Sequence, residues 1–250
     1  MSRHARKLWT VLVAVCCAGV LGVVSSPMVA AASPGFDDEA SLFEHFFDCH
    51  PAVANCPGQA TVTNVGSPSP NLDGQSLKIS YVSGSPFMGV DAFHRFAAND
   101  AARRFEVRYS FLYQNPGAVQ ALELAMNQYI QGTRYEWAMQ WEQLGPSGDG
   151  HPQWRVWTGT TWAGIGVGDQ LSPNTWYALQ IDGDITASAQ GTLQVHYLSF
   201  TIHGVQHNLG QVFDSQPGAG DQLVAAVQLD GNGGPTPYDL FVDDAHFFWA

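Results

Sequence analysis

The chain has 250 residues, with 10 Lys plus Arg against 22 Asp plus Glu, only 13% charged residues, and 26 Gly, 14 Phe, 8 Trp and 8 Tyr. A coiled coil or helical bundle would need more Ala, Glu, Lys and Leu at helical spacing, and a disordered chain would carry fewer aromatic residues and more charge. A formal charge of −12, with Lys78 the one lysine after Lys7, excludes a phosphate-binding face and with it a nucleic-acid partner.

In chain order, the first predicted element is a leader. Arg3, Arg6 and Lys7 form a basic start, residues 8–24 are apolar apart from Thr10 and two glycines, and Ala30, Ala31 and Ala32 offer small residues for cleavage. That order predicts a signal peptide over residues 1–32 and a secreted, extracellular protein, with no stable membrane insertion after cleavage. Cys49 and Cys56 remain in the exported part, where the oxidising destination and the short spacing predict a disulfide closing a small loop. A metal site is the competing use of that pair, and no CxxC or HxxxH spacing accompanies it.

Residues 33–74 read as an N-terminal extension. Within it, Leu42, Phe43, Phe46 and Phe47 follow acidic residues at helical spacing, which predicts a short helix over residues 37–48. Residues 57–75 are rich in Pro, Gly, Ser and Asn and read as an irregular lead-in.

From Gln75 onward the period becomes two. Residues 77–84, 105–114, 121–130, 134–143, 153–159, 175–183, 193–204, 222–231 and 238–249 are each strand-length, rich in β-branched and aromatic residues, and bounded by turn formers. The expected fold over residues 75–250 is all-β: a two-sheet antiparallel jelly-roll sandwich carrying the short N-terminal helical extension.

The hairpin around Gln131-Gly132 is the most informative passage. A tight turn there pairs Ile130 with Thr133, Asn127 with Glu136, Ala125 with Ala138 and Glu123 with Gln140. One register then sorts both strands at once. Glu123, Ala125, Asn127 and Tyr129 share a face with Arg134, Glu136, Ala138, Gln140 and Glu142, while Leu122, Leu124 and Met126 oppose them with Tyr135, Trp137, Met139 and Trp141. Alternation adds Arg155 and Trp157, and then Trp176 and Gln180, to the side away from the core. Small residues among amides, carboxylates and aromatic rings suit a polyhydroxylated ligand, because sugar C–H faces stack on rings while hydroxyls pair with amides and carboxylates. The expected carbohydrate-binding set is Asn127, Glu136, Gln140, Arg155, Trp157, Trp176 and Gln180, with a solvated sheet surface as the plain alternative.

The strand carrying ALELAMNQY, the TWYALQIDG segment, and the closing AAVQLDG followed by YDLFVDDAHFFW resemble the concanavalin A-like lectin and glucanase superfamily. The resemblance covers residues 75–250 and implies a secreted protein that binds or cleaves polysaccharide. Within that superfamily, legume-type lectins carry a Glu-x-Asp strand that holds metal; Glu123 matches, and Ala125 stands at the Asp position. Laminarinase-like hydrolases carry Glu-x-Asp-x-x-Glu, of which Glu123 alone is present here. Alginate-lyase-like members use a Gln-x-His strand, whose spacing Gln194 and His196 reproduce.

Two functional readings therefore stand. One is a lectin-like domain binding a polysaccharide in a sheet groove. The other is a glycoside hydrolase using Glu123 as nucleophile or base and Glu142 as acid. Retaining and inverting glycosidases hold their carboxyl groups about 5–5.5 Å or about 6.5–9.5 Å apart, and diagonal neighbours on adjacent strands reach either. Lyase chemistry and a purely structural surface protein rank lower. No cofactor is expected. Asp182, Asp184, Asp230, Asp239, Asp243 and Asp244, near strand ends, suit either turns or a structural Ca²⁺. The nine histidines are scattered, and Gly164, Gly166 and Gly168 read as loop glycines with no phosphate-binding context.

Overall fold

The computed structural model describes residues 31–32, 35–48, 58–145 and 150–250. The leader up to residue 30 and the Cys49/Cys56 pair lie outside the described residues. In chain order the strands are β1 (Ala31–Ala32), β2 (Phe43–Asp48), β3 (Gln59–Gly66), β4 (Gln75–Val82), β5 (Pro86–Phe96), β6 (Arg104–Tyr113), β7 (Val119–Ile130) and β8 (Thr133–Glu142). They continue as β9 (Gln153–Trp157), β10 (Trp162–Gly168), β11 (Tyr177–Ala187), β12 (Leu193–Ile202), β13 (Val205–Asp214), β14 (Gln216–Pro217), β15 (Gln222–Asn232) and β16 (Tyr238–Trp249).

These strands make a two-sheet antiparallel jelly-roll sandwich. The first sheet runs β13-β12-β11-β6-β16-β4-β3 with β1 against β16, and the second runs β10-β9-β8-β7-β15-β5-β2 with β14 against β8. Period-two alternation fills the space between them. Leu122, Leu124 and Met126 of β7 and Trp137, Met139 and Trp141 of β8 are fully buried, facing Phe105, Tyr109, Ile181 and Tyr197 of the first sheet. Each such side chain removed from water contributes roughly 1.5–3 kcal/mol. The three fully buried indoles also satisfy their N–H groups. Trp137 donates to the His196 carbonyl at 3.0 Å, Trp141 to the Asp169 carbonyl at 2.9 Å, and Trp154 to the Asp169 carboxylate at 2.9 Å.

The hairpin register agrees pair for pair with the one read from the sequence, from Ile130 opposite Thr133 to Ala121 opposite Glu142. Gln131 and Gly132 turn with φ of 48° and 83°, the left-handed pair that a two-residue hairpin needs.

The N-terminal extension departs from expectation. The helix expected over residues 37–48 is one 3-10 turn, Ala40–Leu42, followed by strand β2. Phe43 and Phe47 satisfy a period of two as well as a period near four. In the extended form they turn inward while Glu44 and Phe46 turn outward, and the edge of β5 supplies the backbone partners that so short a helix lacks. The lead-in is likewise partly strand: β3 pairs with β4 from Gln59 opposite Val82 to Gly66 opposite Gln75. Its Thr, Asn and Gln side chains are those of an exposed edge, so its composition imitates a loop. Gly164 and Gly168 are ladder residues of β10 paired with β9, not loop glycines.

Candidate functional site

The outer face of the second sheet carries a hollow built across five strands. At one level the side chains of Asp91 (β5), Gln228 (β15), Glu123 (β7), Gln140 (β8) and Arg155 (β9) stand side by side. At the next level the row is Phe93, Ala226, Ala125 and Ala138, continued in the same register by Trp157, which pairs with Trp162. Three alanines thus form a floor between an aromatic wall of Phe93 and Phe46, 5.9 Å between rings, and a second wall of Trp157 and Trp162, 5.3 Å between rings. Beyond the alanines lie Val224, Asn127 and Glu136, with Tyr129 and Arg134 at the next step.

Two core tyrosines support the floor from beneath. The Tyr109 hydroxyl donates to the Ala125 carbonyl at 2.7 Å. The Ala138 N–H donates to the Tyr197 hydroxyl at 2.8 Å, and that hydroxyl donates on to the Trp157 carbonyl at 3.0 Å. Tyr197 therefore stands where the β8–β9 ladder ends, so the first sheet fixes the position of the Trp157 wall.

The polar atoms form one connected chain and leave several ends open. Gln140 donates to Glu123 and accepts from Arg155, whose guanidinium also pairs with Glu142 at 2.7 Å. Arg134 pairs with Glu136 at 3.1 Å and donates to Gln216 at 2.6 Å. Although shielded from solvent, Asn127 Oδ1, Arg134 Nε, Arg155 Nε and Trp157 Nε1 have no hydrogen-bond partner. Asn127 is only 5% exposed, so its open oxygen is a buried acceptor held ready at the edge of the hollow.

Burial lifts the Glu123 carboxyl well above the ordinary range, and the nearby Asp230 carboxylate pushes the same way, against the opposing Gln140 hydrogen bond. Glu136 is also raised by burial, with Arg134 pulling it back. For both carboxyls, burial disfavours the charged form. Glu142 is held in its ion pair with Arg155.

Of the residues expected from the sequence, Glu123, Asn127, Glu136, Gln140, Glu142, Arg155 and Trp157 share this one face. Trp176 and Gln180 do not join it. Gln180 lies on β11 of the first sheet and donates to Asp182 at 3.0 Å, and Trp176 lies in the loop ahead of that strand. Alternation assigns a side chain to one face of its own sheet and cannot say which sheet that is. Gln194 and His196 are also on the first sheet, bonded to Asp214 at 2.8 Å and Asp184 at 3.0 Å. Phe46, Phe93, Trp162, Ala226 and Gln228 were not anticipated. The alternation of Val224, Ala226 and Gln228 with Leu223, Ala225 and Val227 carries the same small-and-polar signal as β7, whereas the helical reading concealed Phe46.

Among the described residues no group of three or more His, Cys, Asp or Glu side chains is arranged to hold a metal ion. The strand-end aspartates have other partners: Asp239 takes Ser80 and Lys78, Asp243 takes the Leu72 and Asp244 N–H groups, and Asp182 takes Ser199.

Fold and face together define a jelly-roll sandwich with an aromatic-walled polar hollow. No family model matches the chain, and no curated protein matches it. Among solved structures it is similar to an alginate lyase from Chlorella virus, with 11% identity, 78% of this chain and 90% of that chain covered, and a TM-score of 0.49. A structure of carbohydrate-binding modules of the β-sandwich superfamily shares 9% identity over 84% of this chain and 59% of that one, with a TM-score of 0.43. The glycoside hydrolase family 131 catalytic domain from Coprinopsis cinerea shares 15% identity over 69% of each chain, with a TM-score of 0.41. At these identities the chemistry of the hollow has to stand on its own residues.

Proposed function

We propose that this is a secreted, lectin-like protein that binds a polysaccharide chain in the hollow on the second sheet. The arrangement that carries this reading is the alanine floor of Ala226, Ala125 and Ala138 between two aromatic walls, bordered by a ladder of amides and carboxyls. Methyl-sized floor residues let a sugar ring approach the sheet, Trp157 and Phe93 offer stacking surfaces, and Gln140, Gln228 and Asn127 offer hydrogen bonds to hydroxyls. The shielded, partnerless Asn127 Oδ1 and Trp157 Nε1 supply one acceptor and one donor for such hydroxyls. Export rests on the leader sequence, and a polysaccharide outside the cell is the matching partner.

The test is a glycan array followed by tryptophan fluorescence with a soluble oligosaccharide of the retained class. Binding is expected to quench or shift the emission, to weaken by about tenfold or more in Trp157→Ala, and to persist in Trp176→Ala. Silence across the array, or equal binding by Trp157→Ala, would overturn the reading.

A hydrolytic reading draws on the raised Glu123 carboxyl, since a glycosidase needs one acid kept protonated. In that case Glu123 is the proton donor. New reducing ends from an array-positive polysaccharide, abolished in Glu123→Gln while binding remains, would establish it; absence of reducing ends would leave the protein as a binder.

A further inference from the structure

Six carboxyl groups face or border the hollow: Glu44, Asp91, Glu123, Glu136, Glu142 and Asp230. Three guanidinium groups, Arg95, Arg134 and Arg155, face it too, and the protein's own carboxylates engage each of them. Arg95 pairs with Glu44 at 2.8 Å and lies 4.6 Å over the Phe93 ring. Arg134 pairs with Glu136 at 3.1 Å, and Arg155 pairs with Glu142 at 2.7 Å. The Arg134 and Arg155 pairs are largely buried, the latter with side chains 14% and 13% exposed, and the open Nε atoms of both are shielded from solvent, so a ligand carboxylate would have to displace an internal partner to reach either cation.

From this we infer that the hollow selects an uncharged glycan and rejects polyuronates and other polyanionic polysaccharides. The inference deepens the proposed function and rests on it. A uronate would lay its carboxylates beside Asp91 in that row and Asp230 one level along β15, in a partly desolvated trough where like charges repel strongly. A neutral chain meets no such repulsion. Its hydroxyls find amides at Gln140, Gln228 and Asn127, and the alanine floor carries no charge. Net acidity also weighs against a polyanion at long range, because the whole chain carries a formal charge of −12. A cationic glycan is the other outcome that this acidity allows. It is disfavoured because internal arginines already balance Glu44, Glu136 and Glu142.

The experiment is retention of the full-length protein in native gels and by isothermal titration, using matched panels of neutral glucans, mannans and xylans, anionic alginate and polygalacturonate, and cationic chitosan. Expected is binding within the neutral panel at least about tenfold tighter than to either charged class, changing less than about twofold between low and high salt. Ala138→Trp, which fills the floor, is expected to abolish that binding while the thermal midpoint and near-ultraviolet spectrum remain folded. If that variant does not fold, Trp157→Ala serves as the second locator. Alginate or polygalacturonate binding as tightly as any neutral glycan would overturn the charge inference yet leave the groove reading intact, as would tightest binding to chitosan. Absence of binding to all three classes would overturn both.

Discussion

Glu123 concentrates the chemistry of the hollow in one carboxyl. Its neighbours across the ladder are amides, Gln140 on one side and Gln228 on the other, so nothing beside it in the row compensates a full negative charge. A proton held there lets the group donate a hydrogen bond to a sugar oxygen as well as accept one. The pH dependence follows in sign: ligand binding is expected to weaken as pH rises through the elevated Glu123 titration and to lose that dependence in Glu123→Gln. A fluorescence titration across a pH series reads it; an unchanged pH profile in the variant would assign the dependence to another group. Gly183 shows a different residue-scale constraint. A Cβ there would lie 2.2 Å from the Trp137 indole nitrogen, so Gly183→Ala forces the core apart and is expected to cost about 1–3 kcal/mol in denaturant unfolding.

At the scale of elements, the hollow depends on how β8 and β9 part company. Their pairing stops at Met139 opposite Val156, and the Tyr197 hydroxyl occupies the next position, accepting from Ala138 and donating to Trp157. Removing that hydroxyl leaves a buried N–H and a carbonyl without partners. Tyr197→Phe is therefore expected to lower stability by about 1–3 kcal/mol, measured by chemical denaturation, and also to weaken glycan binding by loosening the Trp157 wall. A variant with lowered stability and unchanged affinity would show that Tyr197 is structural only. The hairpin turn offers a change of opposite sign. Gln131 sits at φ 48°, where Asn is better tolerated, so Gln131→Asn is expected to stabilise the protein by a few tenths of a kcal/mol.

For the molecule as a whole, several buried acids shift in the same direction. Asp37 is raised to about 6, mainly by burial, although the Ala245 N–H that it accepts favours the charged form. Burial also raises Asp243, Glu106, Glu123 and Glu136. Between the unfolded carboxyl range near pH 4 and these elevated values, the folded state binds more protons than the unfolded state. Their contribution to stability is thus fully present below about pH 4 and lost as pH rises, for Asp37 through about 6. Thermal midpoints are expected to fall by at least a few degrees between pH 5 and pH 8, and Asp37→Asn should flatten part of that slope. A midpoint that rises over this interval would contradict the assignment.

The same three scales show what was legible in the sequence. Period-two alternation determined the all-β class and the sorting of faces in β7 and β8, which any even-length loop would keep, and the two-residue turn at Gln131-Gly132 set the register. The polar face, with Glu123, Asn127, Glu136 and Gln140, followed from that register alone. Alternation is a local property, set by the geometry of one strand, so it survives without knowledge of neighbours. What it could not supply was the assignment of strands to sheets. Gln180 has the right pattern on the wrong sheet, Trp176 lies in the loop before that strand, and β2 and β3 are strands because sheet edges offered them backbone partners. The far wall of the hollow was decided in the same way: Phe93 and Gln228 stand beside the hairpin through the β5–β15 and β15–β7 pairings between strands distant in the chain, and those long-range hydrogen bonds form only when the sandwich closes.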